Sequence, residues 1–357
     1  MTSEDMQQEE NLSPPTEVAD ADKLLIVEEF KKLKGVGEAR ALKFIDAGYM
    51  SIAQIAVADV RDFVDRTGLP KTSAEQLITN ARGLVDLGKV ESLIEVKERQ
   101  DASGRLTTGS SMVDELLCGG FPTQLVTEIA SRNGNGKSQW CMTEAVLATQ
   151  PEKDGGLGED GCTVIYLDTE NTFSAKRVIQ IATERGLDVD KILRENRILR
   201  VLATSSAHQK LLIDTINKIT AECKNDPTRA PVRLLIVDSI IAHYRSEYVG
   251  RGALAERQQA LGDFLSDLQT FAIANDAVVL VTNQMEAVPD GFGFGPQEQP
   301  CGGNVLGHAC AYRMQIRKGQ QGTRIVRLTK APDLPPGEAP MTVTDWGVTD
   351  VGSKKKK

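Results

Sequence analysis

Residues 131–139 read SRNGNGKSQ, and they stand between an apolar run, LVTEIA (125–130), and a helix-like stretch, WCMTEAVLATQ (140–150). A strand that feeds a Gly-rich turn and then a helix aims several backbone N–H groups, and the positive end of the helix, at one point in space. That arrangement suits phosphate oxygens. Gly136, Lys137 and Ser138 match the second half of the G-x-x-x-x-G-K-[ST] pattern, so Lys137 is expected to reach the β- and γ-phosphates of ATP and Ser138 to ligate Mg2+. The first position holds Ser131 where the pattern asks for glycine, which leaves either a working nucleotide loop or the remnant of one. A serine is compatible with a working loop if its φ is negative, because this position precedes the donors nearest the phosphates. Arg132, Asn133, Gly134, Asn135 and Gln139 complete the expected binding stretch, and Arg132 adds positive charge to it.

Working outward, four apolar runs recur: LVTEIA, TVIYLD (163–168), RLLIVD (233–238) and AVVLVTNQ (277–284). Each is long enough to be buried on both faces, and helical stretches separate them, which implies a parallel sheet of β-α-β units. Downstream, AYRMQIRK (311–318), TRIVRLTK (323–330) and MTVTDWGVTD (341–350) alternate in polarity and are joined by Gly-containing turns, as in an antiparallel edge. The expected class is therefore α/β, a P-loop ATPase core with a mostly parallel sheet and an antiparallel C-terminal edge. Asp238, at the end of its strand, would hold the hydration shell of the metal, or else cap the following helix. Glu170, just past VIYLD, would orient and deprotonate an attacking water; the bland alternative is a surface carboxylate.

Upstream of this core, residues 24–87 place apolar side chains at three- and four-residue spacings and predict a small all-α domain. Within it LKGVGEARALKFIDAG (33–48) carries Gly35 and Gly37 ahead of a helix. Two glycines allow close approach to a phosphate backbone, a helix-hairpin-helix device for sequence-independent DNA contact; a plain interhelical turn is the alternative. The expected boundaries are an acidic disordered tail at 1–22, the helix-hairpin-helix domain at 23–88, a linker with an oligomerisation segment at 89–105, the ATPase core at 106–351 and a basic tail at 352–357.

Composition limits the remaining classes. No run approaches the roughly 18–20 apolar residues of a membrane span, and the N-terminus lacks signal-peptide character, so a cytoplasmic protein is expected. Six cysteines without C-x-x-C spacing imply neither a zinc site nor a disulfide framework. A net charge of −8 requires any DNA-binding surface to be local.

LDTENTFSAKRV (167–178), SEYVGRGALAERQQAL (246–261), VTNQM (281–285), GGNVLGHA (302–309) and APDLPPGEA (331–339) follow one another in a definite order. In that order and spacing the chain resembles the archaeal RadA recombinases and their eukaryotic relatives, over about residues 24–351. The resemblance implies a RecA-like core and a nucleoid-associated, DNA-dependent ATPase for recombination and repair. Such a protein forms a homo-oligomer, a helical filament or a ring, on single-stranded DNA, pairs that strand with double-stranded DNA, and works with recombination mediators. By motif position Lys137, Glu170 and Gln284 are its catalytic residues, Gln284 sensing the γ-phosphate, and Arg177 lies against the adenine. Arg251 and Arg257 belong to a first DNA loop, and a second loop runs from about Met285 to Asn304, with His308 after it. That second loop contains no Lys or Arg, so Phe292 and Phe294 are expected to bind bases by stacking. Lys330 lies in the cap that one protomer places over the ATP of its neighbour, where relatives commonly carry an acidic residue. The family's Phe-x-x-Ala anchor has only Val90 and Leu93 as its closest counterparts. An accessory paralogue that binds nucleotide and loads or regulates the true recombinase is the second reading.

Overall fold

The computed structural model describes residues 20–84, 91–287 and 298–353. Residues 1–19 of the expected acidic tail, Val90, Phe292, Phe294 and the KKKK terminus lie outside the described residues. The chain forms two compact units, divided between Lys97 and Glu98.

The first unit contains α1 (Asp20–Phe30), α2 (Glu38–Asp46), α3 (Ile52–Val57), α4 (Val60–Thr67) and α5 (Lys71–Leu84). Phe30, Phe44 and Phe63 are fully buried and pack ring against ring, with Tyr49 on Phe63. Ser51 and Asp59 accept backbone N–H bonds and start α3 and α4, while Gly68, at φ 65°, ends α4 in the left-handed region. Helix α1 begins at Asp20, three residues inside the expected tail. Where a linker was expected, α6 (Leu93–Asp101) is helical, buries none of its side chains and leaves Leu93 86% exposed.

In the second unit β1 (Arg105–Leu106) and β2 (Phe121–Pro122) form a short antiparallel pair around α7 (Ser111–Leu116). The main elements then follow: β3 (Val126–Ser131), α8 (Lys137–Leu147), β4 (Thr163–Asp168), α9 (Ala175–Glu184), α10 (Val189–Arg194), β5 (Ile198–Leu202), α11 (Ser206–Asn225) and β6 (Val232–Asp238). After them come α12 (Ala242–Glu247), α13 (Leu254–Ala274), β7 (Val278–Ala287), β8 (Glu298–Pro300), α14 (Gly303–Ala309), β9 (Tyr312–Lys318), β10 (Arg324–Lys330), β11 (Gly337–Thr344) and β12 (Gly347–Thr349). The sheet order is β12-β11-β10-β9-β3-β7-β6-β4-β5, with β8 paired to the end of β7.

Strands β5, β4, β6, β7, β3 and β9 are mutually parallel, and β9 through β12 are antiparallel. The antiparallel edge thus begins one strand later than its sequence suggests, since AYRMQIRK joins the parallel part through β3. Every residue of β3 and β4 is buried, as two-sided helix cover demands. Strand β5 has no place among the four runs because it is an edge strand, ILRVL, with no fully buried residue to mark it.

Helix α8 is buried from Trp140 to Leu147, in one core cluster with Tyr166 and Met314. It carries Glu144 there, with neither carboxyl oxygen hydrogen-bonded and no solvent access. Burial, and after it the charge of Asp114, pushes the Glu144 carboxyl well above the usual carboxylate range, against an opposing pull from Arg185. A raised carboxyl pKa favours folding below the ordinary carboxylate value and loses that contribution as pH rises toward the folded-state value. Glu144→Gln is therefore expected to raise the thermal midpoint, by about 1–2 kcal/mol of stability at pH 8 and by less at pH 5. Melting curves of the two proteins at both pH values measure it.

Candidate functional site

The carboxyl ends of β3, β4 and β6 and the Gln284 position of β7 fall at one edge of the sheet, because their ladders are parallel. Ser131 stands opposite Gln284, and Asp168 opposite Asp238. The phosphate-loop sequence leaves the sheet at that edge and enters α8.

Ser131 is the last residue of β3, 1% exposed, and does not take positive φ. Within the loop only Gly134 and Gly136 do so, at 73° and 107°. A Cβ added at Gly134 would meet nothing within 4 Å, so the space above the turn is open. Lys137 folds its ammonium over the loop: Nζ donates to Ser131 O at 3.0 Å, Ser131 Oγ at 3.2 Å and Arg132 O at 3.5 Å. Burial lowers the Lys137 pKa, and the nearby Asp238 and Glu170 charges oppose that shift. The other loop residues make contacts within the chain. Arg132 turns outward to Glu298 on β8, at 2.6 Å, so its charge is largely neutralised there. Asn135 is buried and donates to Ile316 O, while Asn133 is exposed. Gln139 accepts from Arg177 Nε, and Arg177 also donates to the carbonyls of Thr344 and Asp345, tying α8 and α9 to the turn between β11 and β12.

Asp238 is 2% exposed and accepts from Tyr166 Oη at 2.6 Å and from the Thr282 hydroxyl. Glu170 is presented by a turn that Asp168 builds: its carboxylate accepts the N–H groups of Glu170, Thr172 and Phe173 and pairs with Arg200. Glu170 Oε1 accepts from Ser239 Oγ at 2.7 Å and from Gln284 Nε2 at 3.0 Å. Gln284 Oε1 in turn accepts from Arg245 Nη1 at 2.9 Å. Lys137, Glu170, Asp238 and Gln284, chosen from separate segments, therefore share one sheet edge. Tyr166, Asp168, Ser239, Arg245 and Thr282 were not legible. Asp168 had a signal, as a strand-end carboxylate two residues before Glu170, whereas the others gain meaning only through strand pairing.

The residues fit a triphosphate and its cation. Open space lies above Gly134, the helix N-terminus and a buried ammonium face it, and Asp238 is held by two hydroxyls at the same edge.

The other expected residues lie elsewhere. Gly35, at φ 83°, and Gly37, the N-cap of α2 with no side-chain bond, are in the first unit. Arg251 opens a 3-10 turn (Arg251–Ala253); Arg257 is on α13 with its Nε shielded from water and without an acceptor. His308 is exposed on α14. Lys330 donates to the carbonyls of Gly307, Cys310 and His308 at 2.8, 3.0 and 3.4 Å and so neutralises the negative end of α14. Missed altogether was a cavity of about 450 Å3 beside the phosphate loop, where Arg132, Arg317, Lys318 and Arg327 outnumber Glu298 and Glu338.

Residues 99–351 match the Rad51 family model, and residues 27–82 match that of the SAM-like helix-hairpin-helix tandem. The fold and site define a RecA-like recombinase-type core behind a helix-hairpin-helix region. The chain belongs to the Rad51 family. Members of that family are DNA-dependent ATPases that generally use ATP with Mg2+, bind DNA and form oligomeric filaments. Among the described residues no helix is long and apolar enough to cross a membrane.

Because Ser131 meets the loop through its backbone carbonyl as well as its hydroxyl, Ser131→Ala removes one of three acceptors from Lys137 and leaves the strand unchanged. Titration with a fluorescent ATP analogue is expected to show a Kd within about threefold of the parent, as the loss of one such bond allows.

Proposed function

We propose that this chain is an ATP-dependent DNA strand-exchange recombinase of the archaeal RadA kind, forming filaments on single-stranded DNA. The observation that carries the reading is the hydrogen-bonded pair Glu170–Gln284, held at the same sheet edge as Lys137 and Asp238. An accessory protein has no need of a base and a γ-phosphate sensor joined in this way.

Bound ATP with Mg2+ would supply the phosphoryl group and the divalent charge at this edge. Lys137 and the loop N–H groups hold the β- and γ-phosphates, Ser138 and Asp238 serve the metal, and Arg177, braced on Gln139, borders the base. Glu170 accepts the proton of the attacking water, and Gln284 reports the state of the γ-phosphate. Single-stranded DNA runs along Arg251 and Arg257 and the Phe292–Phe294 segment, while Gly35 and Gly37 meet a phosphate backbone. The basic cavity at Arg317 and Arg327 suits the double-stranded partner. Assembly uses the aliphatic Leu93 and its neighbour Ile94, both exposed on α6, in place of an aromatic anchor.

That weaker anchor is also the observation favouring the second reading, an accessory paralogue without long filaments. Electron micrographs with ATP and single-stranded DNA separate the two, since only the recombinase gives extended helical filaments.

Removing the cation at the phosphates should abolish turnover in Lys137→Ala, whereas Glu170→Gln should still bind ATP and hydrolyse it about 10²–10⁴-fold more slowly, the usual contribution of a general base. Parent-like hydrolysis by Glu170→Gln with DNA present rules out the assigned role.

Lys330 gives a second test. Its ammonium already occupies a set of three carbonyls that an alkali cation could otherwise take, and as part of the cap it would place fixed positive charge near the neighbour's γ-phosphate. Exchange of potassium for sodium at constant ionic strength is expected to leave DNA-dependent turnover nearly unchanged in the parent and to lower it in Lys330→Asp. A potassium requirement in the parent contradicts this role.

A further inference from the structure

The hydrogen bonds that hold Glu170 do not stop at Gln284. Gln284 uses both ends of its amide, Nε2 toward Glu170 and Oε1 toward Arg245 Nη1, and the same nitrogen of Arg245 lies 3.6 Å from Cys301 Sγ. Arg245 is on α12, directly before the 248–257 stretch, and it is exposed. Only Nη1 of its guanidinium is engaged among the described residues, so the other donors of the fork are open to an incoming acceptor. Arg257, at the far end of the same stretch, also acts on the Cys301 thiol, as does the Glu286 carboxylate. Its Nε is shielded from water and lacks an acceptor. Arg245 thus meets a neutral amide and a neutral thiol, and a second guanidinium with an unmet donor acts on the same thiol.

We propose that Arg245 is a positioning residue that restrains Glu170, through Gln284, until a DNA phosphate draws its guanidinium away. The inference rests on the reading of Glu170 as the base and of residues 248–257 as a DNA-contacting stretch. Its physical basis is a competition between acceptors. A guanidinium bonds an ionised phosphate oxygen more strongly than it bonds the neutral amide oxygen of Gln284, and the planar fork fits phosphate in a bidentate way. When Arg245 turns to phosphate, Gln284 loses the partner that fixes its amide plane, and Nε2 is free to leave Glu170 Oε1. That oxygen then keeps one donor, Ser239 Oγ, and has a lone pair available for the proton of a water. DNA occupancy is converted to reactivity over three side chains, without movement of the sheet.

The test is ATP turnover of the full chain with and without a single-stranded oligonucleotide, for the parent, Arg245→Ala, Arg245→Gln and Arg245→Lys. In the Ala and Gln variants the DNA-free rate is expected to rise about tenfold, the effect of losing one bond to a charged donor, with a matching fall in stimulation by DNA. Arg245→Lys keeps a cation at that position and should restore a low DNA-free rate, and nucleotide Kd should be the same in all four. A parent-like DNA-free rate with full stimulation in Arg245→Ala overturns the restraint. So does loss of turnover in both conditions in a variant that melts like the parent, because Arg245 then supports the base. A parent whose turnover ignores DNA overturns the underlying reading, and that failure is distinguishable because it appears before any substitution is made.

Discussion

Parallel strands in step are what the rest of this molecule depends on. The ladder β4-β6-β7-β3 brings four segments, separated by up to about 150 positions in the chain, to one edge: Ser131 opposite Gln284, Asp168 opposite Asp238. The side-chain period of a strand is two, so a slip of one residue would send Gln284 or Asp238 to the opposite face. The register is held by strands buried on both sides, where most positions of the central four are buried and a displacement would misplace several side chains at once.

That hydrophobic frame carries charge at its edge and must satisfy it there. Asp238 is held by two hydroxyls from flanking strands, one on each oxygen, and Asp168 by three backbone N–H groups and Arg200. One layer beneath, Glu128 of β3 is fully buried and is met by Arg313 from β9 and Asn283 from β7, so that the strand leading into the phosphate loop is braced from both neighbours. A buried carboxylate tolerated only with such partners is a strong constraint on which strands can be adjacent. Among the described residues, the core carboxyl without them is Glu144, which lies on the helix behind the loop rather than at the edge.

Against this braced background, the groups with freedom to change partner are few and lie at the surface of the site. Lys137 rests on the loop's own carbonyls, an arrangement that a phosphate can replace donor for acceptor. Gln284 has one neighbour on each end of its amide. Arg132 and Lys330, both read from sequence as charges directed at phosphate, are engaged within the chain, one by Glu298 and the other by three carbonyls at the end of α14.

Sequence by itself determined the parallel core, the helical first unit and the phosphate loop, because each rests on local signals: unbroken apolar runs, three- and four-residue spacing, and Gly-Lys-Ser at a strand-to-helix junction. The apolar runs also put Asp238 at a strand end and Glu170 just past one, while Gln284 came from the resemblance and lies inside β7, which continues to Ala287. Sequence could not place β5, which as an edge strand lacks the buried pattern that marks the others, nor see that β9 pairs in parallel with β3. Only the tertiary structure decided which side chains touch. Tyr166 and Thr282 meet Asp238 across strand pairs, Ser239 and Gln284 meet Glu170 from two different segments, and Arg245 meets Gln284 from a third. Such contacts depend on the order and register of strands far apart in the chain, and no local pattern of residues encodes that order.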